Sequence, residues 1–82
     1  MTLDEFAEGC RVFLIEQEIV GPETAAQIGL DNDLLAGGVL DSFGLLNLVM
    51  HAEDVSGTPI DVTELDIQDF SSVRALHALV SR

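Results

Sequence analysis

The residues able to do chemistry in this chain are few, and the densest group is Gly37-Gly38-Val39-Leu40-Asp41-Ser42. A flexible glycine pair leads there to an acid and a hydroxyl, at the start of an apolar, helix-periodic segment. A serine in that place is exposed. It lies beside unpaired backbone N–H groups at the positive end of the helix dipole, an environment that favours an anion. The plainer reading of the same residues is an N-cap supplied by Asp41 or Ser42. As a nucleophile of its own, Ser42 would need a base within hydrogen-bond reach. His51 is nine residues further along the same helix, about 13 Å away by helical rise. His77 belongs to another helix, and no carboxylate is placed to orient either ring. Both histidines are therefore expected at the surface or its boundary, and autonomous catalysis is not expected. Cys10 is the one cysteine; it falls in an apolar helical stripe, where a free thiol behaves as a small hydrophobe. Asp31-Asn32-Asp33 begins like a calcium loop, but Leu35 and Ala36 stand where an oxygen ligand and a glycine are needed. No metal site is expected.

The elements that must position Ser42 are helical. Thr2 and Glu5 have capping-box spacing, and Leu3, Phe6, Ala7, Cys10, Phe13 and Leu14 recur at helical intervals. This predicts a first helix ending near Val20, before Gly21-Pro22. Residues 21–41 form a long connection whose apolar patches, Ile28-Leu30 and Leu34-Leu35, are expected to hold it across the bundle. A helical turn around Thr24 to Ile28 fits within it. A connection of that length in a small domain tends to be functional. The second helix is predicted over Ser42–Ser56 and stopped by Gly57. Leu45, Leu48, Val49, Ala52 and Val55 form its inward stripe. Ile60 and Val62 are candidates to pack inward. Thr63 and Asp66 suggest a short helix holding Leu65 and Ile67. Ser71 or Ser72 caps a last helix with Val73, Leu76, Leu79 and Val80 as its buried face. The fold class predicted is all-α, a small four-helix bundle of three main helices and one short one, forming a single domain over residues 1–82 with a long loop between helices 1 and 2.

Composition narrows the partners. The chain has 82 residues, 48% of them apolar, which is a folding composition. Fifteen acidic residues against three basic ones give a net charge of −12. Nucleic acid and anionic membranes are excluded as partners, since both need clustered Lys and Arg. Basic protein surfaces are the natural ones, with electrostatic steering raising the encounter rate. Asp4 and Glu5 occupy the place of a basic leader segment, and a cytoplasmic monomer is expected.

Residues 37–60, GGVLDSFGLLNLVMHAEDVSGTPI, resemble the phosphopantetheine attachment region of the acyl carrier and peptidyl carrier protein family. The resemblance rests on Asp41-Ser42, Phe43, Leu45-Leu46, Leu48, Val49, Glu53, Gly57 and Ile60, and extends weakly to both ends of the chain. It implies that Ser42 carries a 4'-phosphopantetheine arm donated from coenzyme A, and that Asp41 helps a phosphopantetheinyl transferase recognise the site. It further implies a non-catalytic carrier that is loaded by an acyl or aminoacyl ligase or acyltransferase and serves a downstream synthase or transferase. A second stripe of Phe43, Leu46 and Met50 shares its helix face with Asn47 and Asp54. It is expected to form, with Glu53, the docking face for those partners rather than ordinary core. Gly44, Asn47 and Phe43 depart from the pattern of bacterial fatty-acid carriers, and DIQDFSSV (residues 66–73) also resembles discrete carriers of specialised pathways. A polyketide or nonribosomal peptide pathway is therefore expected, with a fatty-acid-type carrier as the alternative. The rival from another class is an acidic helical adaptor without a prosthetic group.

Overall fold

In the computed structural model, which describes residues 1–81, the chain forms four α-helices in the order α1 (Leu3–Glu16), α2 (Pro22–Ala26), α3 (Ser42–Ser56) and α4 (Val73–Val80). No strand occurs among the described residues. Helix α1 packs against α2, α3 and α4, and α3 packs against α4. The start of α1 is fixed by a reciprocal cap. Thr2 Oγ1 accepts from the Glu5 amide at 3.1 Å, and Glu5 Oε1 accepts from the Thr2 amide at 2.9 Å. Phe6, Ala7, Cys10 and Leu14 then line its buried face, while Leu3 and Phe13 are half-buried.

Helix α1 stops at Glu16, short of the expected end near Val20. The cause is a fold-back motif rather than the Gly21-Pro22 breaker. The Glu18 amide donates to Ile15 O and the Ile19 amide to Leu14 O, both at 3.0 Å, with Glu18 at a left-handed φ of 57°. These are the two bonds of a Schellman turn, which ordinarily favours glycine at the left-handed position. The turn carries Ile19 and Val20 back onto the core.

The long connection is ordered by both kinds of bond. Ile28, Leu34 and Leu40 are buried in the main core, the first two within the patches expected to hold it. Backbone pairing attaches it to the start of α4, through Leu34 N–H to Ser71 O at 2.8 Å and Arg74 N–H to Leu30 O at 3.0 Å. Arg11 of α1 donates to Ile28 O at 2.8 Å. Helix α2, capped by Gly21 with Pro22 in its first turn, buries only Ala25. It begins two residues before the expected turn, because proline suits a helix start where its missing N–H costs nothing.

Helix α3 spans the predicted residues and buries Leu45, Leu48, Val49 and Ala52 along with Gly44, ending at Gly57 with φ 69°. Val55 departs from the expected stripe: it is 43% exposed. The short helix expected from Thr63 and Asp66 is instead two 3-10 turns, Val62–Glu64 and Ile67–Asp69. Asp61 caps the first and Asp66 brackets the second with Asp69; Leu65 lies between them and Ile67 is exposed. Three acids within reach of local amides divide the segment before a continuous helix can form. Ile60 and Val62 are half-buried against the core. Ser72, not Ser71, caps α4 by accepting from the Ala75 amide. Val73 and Leu76 are buried there, and Leu79 and Val80 half-buried.

Candidate functional site

Ser42 is the first residue of α3 and is exposed. Its neighbour Asp41 is the N-cap, with Oδ1 accepting from the Gly44 amide at 2.7 Å. The backbone carbonyl of Asp41 accepts from the Leu45 amide at 3.0 Å. The capping function therefore falls wholly to Asp41 and leaves the serine hydroxyl free. Among the described residues no side chain binds Ser42 Oγ, and the amides of Ser42 and Phe43 have no partner, as expected of the first amides of a helix. No acidic residue lies in the first turn of α3. An anion attached at Ser42 would meet two free amides and the helix dipole, with the adjacent Asp41 carboxylate as a like charge at the same helix end. Ser42 is reachable, its oxygen is uncommitted, and the amides of Ser42 and Phe43 are open to an anion.

The surroundings explain why the chain approaches the site as it does. Leu40 is buried and its amide donates to Leu34 O at 2.9 Å, so the loop is anchored two residues before the serine. Gly44 is buried under Ile19: a Cβ there would lie 3.3 Å from Ile19 Cγ2 and 3.4 Å from Leu40 Cβ. The glycine that departs from the fatty-acid carrier pattern thus accommodates the Schellman turn at the end of α1. No signal in the sequence marks that contact, because Glu18 stands where a glycine would have announced the turn.

The second stripe of α3 is open to solvent. Phe43 is 78% exposed, Met50 56% and Leu46 44%. With Asn47, Val49, Glu53, Ile60 and Val62 these residues line a shallow hollow of about 270 Å³. Asn47 is half-buried at its edge and Asp54 is exposed. Glu53 also holds the local structure together. Its Oε2 accepts from the Ile60 amide at 2.7 Å, fixing the Thr58-Pro59 turn against α3. Phe43, Leu46 and Met50 thus share one surface that starts at the residue after Ser42, while Asp54 lies about three turns beyond the serine.

The histidines are engaged away from Ser42. His51 stacks on Phe13 with ring centroids 4.4 Å apart, and burial there lowers its pKa from the ordinary histidine value, opposed by Asp54. His77 Nε2 lies 3.1 Å from Met1 O and from the Ser81 hydroxyl. Burial pushes the Cys10 thiol up to about 12, so it is a packed neutral group rather than a thiolate nucleophile. The acids of the long connection serve local structure. Asp31 pairs with Arg74 at 2.7 Å, Asn32 accepts from the Gly29 amide, and Asp33 accepts from the amides of Leu35 and Ala36. Among the described residues no helix is long and apolar enough to cross a membrane. Comparison of the chain with protein-family models, curated proteins and solved structures finds no match.

Proposed function

We propose that this chain is a discrete carrier protein whose Ser42 bears a 4'-phosphopantetheine arm holding an acyl or aminoacyl thioester. The observation that carries this reading is the exposed, unbonded Ser42 hydroxyl at the first position of α3, with the capping role taken by Asp41. In the modification step, Ser42 Oγ would attack the phosphorus of coenzyme A that bears the pantetheine. The pyrophosphate bond breaks, adenosine 3',5'-bisphosphate leaves, and the serine proton passes to a base of the transferase. Once attached, the arm supplies a terminal thiol that forms the thioester. The protein's own residues hold the phosphodiester at the α3 N-terminus and present the exposed Phe43, Leu46 and Met50 face to enzymes that load or unload the thiol. Asp41 would assist the transferase, and the acids around the face would favour basic partners. The divergence at Gly44 and Asn47 supports a specialised polyketide or nonribosomal peptide pathway over a fatty-acid role.

Intact-protein mass after incubation with coenzyme A and a broad-specificity phosphopantetheinyl transferase tests the reading. One arm per chain is expected on wild type and none on Ser42→Ala. Modification of the alanine variant would overturn the assignment of Ser42. No modification of folded wild type by several transferases would favour the adaptor reading.

A further inference from the structure

A groove between α1 and α3, which shares Asp54 with the face expected to dock partners near Ser42, has an apolar floor that the fold leaves uncovered. It is open along its length, about 790 Å³ in volume, and floored by Gly9, Val12 and Phe13 of α1 and by His51 and Val55 of α3. Val12 is 41% exposed and Val55 43%. Val55 lies on the stripe of α3 that is buried elsewhere in the helix, so its exposure is a break in an otherwise covered surface. Asp4, Glu5, Glu8, Glu16 and Asp54 form the rim. Among the described residues, the basic side chains do little to neutralise them. Of the chain's three basic residues, Arg11 reaches Glu8 only at 3.5 Å while donating to Ile28 O, and Arg74 is paired with Asp31.

We propose that this groove docks a basic amphipathic helix of a partner protein, with its apolar stripe on Val12, Phe13 and Val55 and its Lys or Arg residues against the acidic rim. The charge selects the occupant. A second copy of the chain would bring another −12 to the contact, and an anionic lipid surface would be repelled in the same way. The shape selects a helix: the acids span Asp4 to Glu16 along α1, which is about 18 Å, or between three and four helical turns. An apolar stripe recurring every three or four residues would follow the floor, while flanking cations meet both sides, as in other helix-in-groove complexes. Val55 is 13 residues beyond Ser42 on α3, about 20 Å by helical rise. A partner held here would leave the serine accessible, and the proposal does not depend on what Ser42 carries.

The test uses the full-length protein, labelled with 15N, and a synthetic 14-residue helical peptide with Leu at positions i, i+3, i+7 and i+10 and Lys between them. Saturable shifts are expected at Gly9, Val12, His51 and Val55, with affinity falling as salt is added. Val12→Ser combined with Val55→Ser should weaken binding at least tenfold. Both side chains are exposed, so circular dichroism should show an unchanged fold. Asp54→Lys should weaken binding too, and a peptide with Glu in place of Lys should not bind. Equal binding of a scrambled Leu/Lys peptide would reduce the attraction to general charge and overturn the proposal. So would shifts centred on Phe43 and Met50, the absence of saturable binding at millimolar peptide, or a dimer in sedimentation that buries Val12 and Val55. Ser42→Ala should bind the peptide like wild type, so failure of this proposal and failure of the carrier reading are read from different measurements.

Discussion

Asp41 and Ser42 stand side by side but do different work, and substitution should separate them. Asp41→Ala removes the cap on the Gly44 amide and should cost about 1 kcal/mol in urea denaturation. Ser42→Ala removes no bond made within the chain and should leave the midpoint within about 0.5 kcal/mol of wild type, while abolishing arm attachment. A larger loss for the serine variant would mean that its hydroxyl has a structural partner. Glu18 is the converse case, a residue in a backbone conformation it does not favour. Glu18→Gly should stabilise the fold by about 1 kcal/mol, the cost of the left-handed conformation for a residue with a Cβ. A destabilised Glu18→Gly would show that its side chain contributes more than its backbone costs. Cys10, buried and held neutral, should resist a thiol reagent at neutral pH until the protein is unfolded. Its folded pKa lies above the unfolded one, so its contribution is complete below pH 9 and is lost as pH rises towards 12.

Helix α3 has two apolar faces with different fates. Leu45 and Leu48 are 2% and 0% exposed, and Leu45→Ala should cost about 2–5 kcal/mol, as for other buried leucines. Phe43→Ala and Met50→Ala remove side chains that lie mostly in water, so thermal melts should move little. Loading by a cognate ligase or acyltransferase should slow in both if this face docks partners; wild-type loading rates in both would remove it from the docking surface. Gly44→Glu introduces a carboxylate beneath Ile19. The crowding should cost about 1–3 kcal/mol, and an unchanged melting temperature would mean that the Schellman turn yields freely.

For the molecule as a whole, the net charge of −12 works against compactness. Raising ionic strength towards 0.1 M shortens the Debye length to about 10 Å and should raise the melting temperature, by about 4–8 °C for each kcal/mol of repulsion relieved. A salt-independent melting curve would show that the acids are already compensated locally, as Asp31 is by Arg74. The stack of His51 on Phe13 adds a pH dependence of definite sign. Burial depresses the folded pKa of His51 below its ordinary value of 6.5, so the unfolded chain takes up the proton first. Stability from this group is complete above pH 6.5 and declines as pH falls through that value. His51→Gln should lose less stability than wild type between about pH 7.5 and 5.5, measured by urea denaturation.

Local rules were enough to read the helices that carry their own signals. The Thr2–Glu5 box, the Ser42–Ser56 periodicity with Gly57 behind it, and the cap at Ser72 all act within one or two turns of chain. The position of Ser42 at a helix start follows from the same short-range pattern. Other features depended on contacts between distant segments. The end of α1 is set by Ile19 packing onto Gly44, 25 residues away in sequence, and no breaker marks it. The stripe of α3 repeats through Val55, but whether a repeat position is buried depends on a neighbouring helix being there to cover it. Thr63 and Asp66 suggest one short helix in sequence, whereas in the fold Asp61, Asp66 and Asp69 close two separate 3-10 turns. Periodicity tells which residues share a face; only the arrangement of the other elements decides which face meets water, and that decision opened both the Phe43–Met50 surface and the acidic groove around Val12 and Val55.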